Sequence, residues 1–107
     1  MNMTSIKTFL LAGLSCSATG LAQAQDAKSL QQLSLAATCA SCHGTAGRAV
    51  DNASVPGLAG MPAVYMIEQM KAFKGGTRTA TVMHQLAKGY SDAQIESLAA
   101  YFAAQKK

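Results

Sequence analysis

Apolar residues recur along this chain at helical spacing rather than in the strict alternation of a half-buried strand, so the pattern predicts helices. A first helix is expected from about Ala27 to Ala40, with Leu30, Leu33 and Ala37 on one face and no Pro or Gly inside. Gly44 and Gly47 end it. The stretch from there to Gly60 holds Asp51-Asn52, Val55-Pro56-Gly57 and Gly60, all turn-forming chemistry, and reads as a long loop. Pro62 suits the first turn of a second helix, in which Met66, Ile67, Met70 and Phe73 share an apolar stripe while Glu68 and Lys71 face water. Gly75-Gly76 stops that helix. A short helical turn from about Val82 to Ala87, closed by Gly89, comes next. In the last helix Ser91 and Gln94 form a capping box and Asp92 suits the positive helix end. Ile95, Leu98, Ala99 and Phe102 make one stripe, and Lys106 and Lys107 complement the far end. The fold class is therefore all-α.

The first segment reads differently. Lys7 precedes an apolar run from Phe9 to Ala22, and Ala22-Gln23-Ala24 has the small-x-small pattern of a signal-peptide cleavage site. Residues 1–24 are then a removed leader and residues 25–107 the mature domain, exported to the periplasm. The run is too short, and too interrupted by Gly13, Ser15, Ser17 and Gly20, for a membrane span, so no stable membrane insertion of the mature chain is expected. Cleavage also removes Cys16, which as a lipoprotein anchor has a poor lead-in in Gly13-Leu14-Ser15. What remains is one small domain without Trp, in which aromatic residues make up 6% of the whole chain. A core so thin calls for a metal, a disulfide or a cofactor.

Cys39-Ala40-Ser41-Cys42-His43 supplies the means. C-x-x-C-H is the attachment signature of a covalent c-type haem: each thiol forms a thioether to one vinyl group, and the adjacent histidine stands as the proximal ligand of the iron. One such motif implies one haem c, held by Cys39 and Cys42, with His43 on the iron and the glycine-rich loop wrapped about the flat group. A zinc site would need two further ligands, and neither a second C-x-x-C nor an H-x3-5-H is present. A thioredoxin-like redox pair would need a βαβ setting, which the helical pattern excludes.

The other axial position distinguishes an electron carrier from a ligand-binding haem protein. Met66 and Met70 lie on the stripe of the second helix and read as core, and Met61 sits at a helix start. Met83 stands apart, after the polar run Thr77-Arg78-Thr79-Ala80-Thr81, and is the favoured second ligand. His84 beside it would give a bis-histidine iron of lower potential. Met61 or an open position completes the set, the last implying gas binding or peroxide chemistry.

With these residues in view the chain resembles the short bacterial class I c-type cytochromes. The likeness runs through Ala37-Thr38-Cys39-Ala40-Ser41-Cys42-His43-Gly44, then Val55-Pro56-Gly57-Leu58-Ala59-Gly60, then Thr81-Val82-Met83-His84-Gln85-Leu86-Ala87-Lys88-Gly89-Tyr90-Ser91-Asp92. It is most similar to the cytochrome subunit of flavocytochrome c sulfide dehydrogenase. The resemblance implies the small class I cytochrome c fold, helices wrapped around one covalent haem, with His43 and Met83 as axial ligands and the Pro56 carbonyl accepting from the other nitrogen of His43. It further implies Tyr65, Gln69 or Arg78 as contacts to the haem propionates. The departure is size, since such subunits often carry two haem domains and this chain has a single C-x-x-C-H.

The implied role is single-electron transfer between redox partner proteins, one of them a sulfide-oxidising flavoprotein, without bond-making chemistry of its own. Nine Lys plus Arg stand against five Asp plus Glu, for a net charge of +4. Lys71, Lys74, Arg78 and Lys88 could ring the haem edge and steer an acidic partner, or form ordinary solvated surface. An exported chain of this modest charge with no recognition motif is not expected to bind nucleic acid.

Overall fold

The computed structural model describes the backbone of residues 17–107 and the side chains of residues 24–107. Lys7, the start of the run at Phe9, and Cys16 lie outside the described residues. Every regular element among the described residues is helical: α1 (Ser17–Ala37), α2 (Ala40–His43), a 3-10 turn (Thr45–Gly47), α3 (Ala63–Gly75), α4 (Met83–Lys88) and α5 (Asp92–Ala103). The chain divides into two compact units, Met1–Gln31 and Gln32–Lys107. In the first, α1 continues unbroken through Ala24, where cleavage is expected, and Leu30 is exposed. The rest of the fold belongs to the second unit.

There α3 packs against both α4 and α5. The buried cluster is Ala36, Met66, Leu98, Ala99 and Phe102, flanked by Leu35, Leu58, Met61, Ile67, Tyr90 and Tyr101. The stripe predicted for the last helix is fully inside, and its capping box forms in both directions: the Gln94 amide donates to Ser91 Oγ at 3.2 Å and the Ser91 amide to Gln94 Oε1 at 2.8 Å. Ile95 and Phe102 are the largest fully buried side chains. Each stabilises by about 1.5–3 kcal/mol, which makes a small core.

Several boundaries differ from expectation, each for a local reason. The first helix does not run to Ala40: the Thr38 hydroxyl takes the Leu35 carbonyl at 2.7 Å, and a turn separates α1 from α2. Leu35 and Ala36 pack inward, as does Cys39 in the turn that follows, whereas Leu33 and Ala37 point to solvent. Pro62 caps α3 rather than entering it, because its ψ of 130° is extended. Lys106 and Lys107 lie beyond the end of α5 at Ala103, so the last turn of that helix carries no cation.

Candidate haem-binding site

The attachment turn is built by its own backbone. The Cys42 and His43 amides both point back to the Cys39 carbonyl, at 3.4 and 3.0 Å, which stacks both cysteines and the histidine on one tight turn. Gly44 follows with φ of +85°, and a side chain there would collide with the Arg48 carbonyl, so only glycine lets the chain fold back. Cys39 is half-buried and Cys42 exposed. Burial pushes the Cys39 thiol up.

His43 is the single buried polar or charged side chain recorded among the described residues, at 8% exposure. Its Nδ1 lies 2.7 Å from the Pro56 carbonyl oxygen. With the proton on Nδ1 donated to that carbonyl, Nε2 is left as the lone-pair nitrogen, the tautomer a metal needs. The loop carrying Pro56 is itself anchored to the turn after His43: the Leu58 and Ala59 amides donate to the Gly47 carbonyl at 2.7 and 3.1 Å. Histidine and carbonyl are thus held by one short circuit of backbone bonds.

The methionines separate by packing. Met66 is in the buried cluster and Met61 is packed on it, whereas Met70 on α3, expected in the core, and Met83, which opens α4, are half-buried and belong to neither. Beside it, His84 has its Nδ1 buried without a hydrogen-bond partner. Of the residues suggested for propionate contact, two meet: Arg78 Nη1 donates to Gln69 Oε1 at 2.6 Å, and its guanidinium lies 4.4 Å from the Phe73 ring centroid. Tyr65, one helical turn before Gln69, is 47% exposed and outside that pair.

The basic residues are not equivalent either. Lys74 Nζ donates to the Tyr90 carbonyl at 2.7 Å and to Asp92 Oδ1 at 3.1 Å, so its charge is engaged within the chain. Thr38 and Tyr90, to which the sequence assigns no individual role, meet at 2.9 Å through their hydroxyls. A surface concavity of about 250 Å3, lined by Gly47, Arg48, Ala49, Gly57, Ala59 and Lys107, includes none of the site residues.

The side chains present fit a flat, apolar iron cofactor. Two thiols and a pinned, ligand-competent imidazole share one turn, and no cluster of three or more His, Cys, Asp or Glu converges among the described residues to complete a zinc site instead. Val82 and Leu86, flanking Met83 on and before α4, are about half exposed, as is Tyr65 on the α3 it packs against.

Comparison with known proteins agrees with this geometry. A family model described as Cytochrome c matches residues 27–106, and the chain belongs to the cytochrome c family. Members of that family are electron-transfer proteins that bind haem c covalently through a cysteine pair, and this chain has the pair Cys39 and Cys42. The thiosulfate dehydrogenase electron acceptor of Thiomonas intermedia is 42% identical over 67 residues, 63% of this chain and 31% of that one. Cytochrome c4 of Pseudomonas aeruginosa is 38% identical over 106 residues, 99% of this chain and 50% of its own length. The cytochrome subunit of sulfide dehydrogenase from Chlorobaculum tepidum is 40% identical over 68 residues, covering 64% and 60%. The solved structure of Acidithiobacillus ferrooxidans cytochrome c4 matches with a TM-score of 0.58 at 39% identity, over 62% of this chain and 37% of that one. The fold is the class I cytochrome c fold. This chain spans from 31% to 60% of the length of these curated relatives. No helix among the described residues is long and apolar enough to cross a membrane.

Proposed function

We propose that the chain is an exported, monohaem electron carrier, cut after Ala24, with residues 25–107 as the working domain. Cys39 and Cys42 anchor the group, His43 and Met83 are its axial ligands, and Tyr65 and Gln69 of α3, with Arg78 just beyond it, face its propionates. When bound, haem c supplies a one-electron ferrous–ferric couple. The chain's own part is to hold it: the thiols fix position, Pro56 fixes the imidazole tautomer, and the surrounding apolar residues exclude water.

The observation that carries this reading is the buried His43 ring, with Nδ1 committed to Pro56 and Nε2 left as a ligand directly after the cysteine pair. The place of Met83 at the start of α4, off the apolar stripe of α3 that carries Met66 and Met70, supports it as the second ligand. A visible spectrum of the matured protein tests both. The oxidised protein should show the weak sulfur-to-iron band at the red end, lost with a lowered potential in Met83→Ala and kept in Met61→Ala and His84→Ala. Retention of the band in Met83→Ala would refute the assignment.

A sulfur-compound dehydrogenase is the proposed electron donor, a sulfide-oxidising flavoprotein foremost. Supporting this are the names of two relatives, one an electron acceptor of thiosulfate dehydrogenase and one a subunit of sulfide dehydrogenase. Isolation of the native protein with a flavin assay tests the narrower version. Copurifying flavin supports a bound subunit, and a free cytochrome reduced equally fast by unrelated donors counts against it.

A further inference from the structure

We propose that Tyr90 is a positioning residue that ties the segment after the Met83 helix to the attachment turn, and thereby sets how readily Met83 leaves the iron. This rests on the reading of Met83 as an axial ligand. Three elements meet at Tyr90. Its amide donates to the Ala87 carbonyl of α4 at 3.2 Å, and its own carbonyl accepts from Lys74 at the end of α3 at 2.7 Å. Its hydroxyl lies 2.9 Å from Thr38 Oγ1, 52 residues away and adjacent to Cys39.

The direction of the last bond follows from the partners. Thr38 has one hydroxyl proton, and the Leu35 carbonyl, 2.7 Å away, can only accept it. Tyr90 is therefore the donor to Thr38, and the hydroxyl chain runs Tyr90 to Thr38 to Leu35, ending in α1. The Tyr90 ring packs on the buried cluster, which holds the hydroxyl in place.

Such a tie matters because α4 is only six residues long. A helix this short has little stability of its own, so its position depends on what its ends are bonded to. Met83 is its first residue, and Tyr90 holds the chain just past its last. Loosening Tyr90 frees the ligand helix without touching a ligand.

An external ligand such as imidazole reaches ferric iron only in molecules whose Met83 is off, so its apparent affinity reports that fraction. Titration of the oxidised, matured protein with imidazole is the test. Tyr90→Phe, which keeps the ring and removes the donor, should raise the imidazole affinity about three- to tenfold, the yield of one net hydrogen bond. Thr38→Val, which also removes the bond to Leu35, should raise it at least as much, and the double variant no more than Thr38→Val alone, since the Tyr90–Thr38 bond is already gone there. Should Tyr90→Phe fail to mature, Thr38→Val carries the test alone.

A Tyr90→Phe protein that melts lower but binds imidazole as the wild type does, with its red-edge band intact, overturns the proposal and leaves Tyr90 merely structural. Additive effects of the two substitutions overturn it as well. Failure of the underlying reading looks different: the red-edge band would then persist in Met83→Ala.

Discussion

Gly47 and Phe102 meet so closely that a Cβ on the glycine would stand 2.8 Å from Phe102 Cδ1, at a backbone φ of +76° that side chains resist. The contact seats the loop after His43 on α5, where the Gly60 amide also donates to the Phe102 carbonyl at 2.9 Å. Gly47→Ala should cost about 1–3 kcal/mol from the strained backbone alone. Each kcal/mol lowers Tm by about 4–8 °C in a domain of this size. Gly75 is the comparison, because a Cβ there meets nothing within 4 Å. Gly75→Ala should leave Tm unchanged or raise it slightly, replacing glycine by a better helix former. Circular dichroism melts of the matured proteins decide, and equal shifts in the two variants would contradict the packing argument.

The small core makes a second prediction. Ile95 and Phe102 are the largest fully buried side chains, and Val82, Leu86 and Val64 stay half exposed or more. Cofactor attachment and folding should therefore be coupled, as at structural metal sites. Cys39→Ala with Cys42→Ala should give a chain with little cooperative thermal unfolding. A haem-free double variant melting sharply at the temperature of the matured protein would show that the core suffices by itself.

What was legible beforehand was local in origin. Ile95, Leu98, Ala99 and Phe102 announce a buried stripe through their period, and Ser91 with Gln94 announces its start, because neighbours along a helix set both. The Cys39, Cys42 and His43 chemistry is legible for the same reason, since its ligands share one turn. In α1, by contrast, apolar residues are spread around the helix, and spacing alone chose Leu33 where Leu35 and Ala36 face inward. The bond from Thr38 to Leu35 that ends the helix early is a competition no periodicity reveals. Nor does any pattern join Tyr90 to Thr38 or to Lys74, because these are single polar residues far apart in sequence that only the tertiary fold brings together.

The Lys74–Asp92 pair gives a pH dependence with a definite sign. The hydrogen bond from Lys74 holds the Asp92 carboxyl below its ordinary range, helped by the charge of Lys74 and then of Lys71. A lowered folded pKa means the contribution is present above the unfolded value of about 3.9 and is lost as pH falls through the folded one. Asp92→Asn should lower Tm near neutral pH, also by removing a negative charge from the first turn of α5, and the difference should close in acid. Added salt should shrink it too, as the pair is solvent-exposed. A Tm difference constant from pH 7 down through the acid range would mean that the carboxylate charge is not what matters.

Lys88 tests the docking role of the basic surface, and the structure makes it a better probe than Lys74. Lys74 is committed to Tyr90 and Asp92, so reversing its charge would disturb the fold and the surface together. Lys88 is exposed in the last turn of α4, with no ion pair recorded for it among the described residues. If it steers an acidic redox partner, the second-order rate of electron transfer should fall as salt rises, because screening cuts the attraction to a range of about 8 Å at physiological ionic strength. The effect belongs mainly to association. Lys88→Glu should lower the rate at low salt and flatten its salt dependence, while the visible spectrum, which reports the iron ligands, stays the same. Stopped-flow rates that ignore salt and are equal in wild type and Lys88→Glu would return Lys88 to ordinary solvated surface.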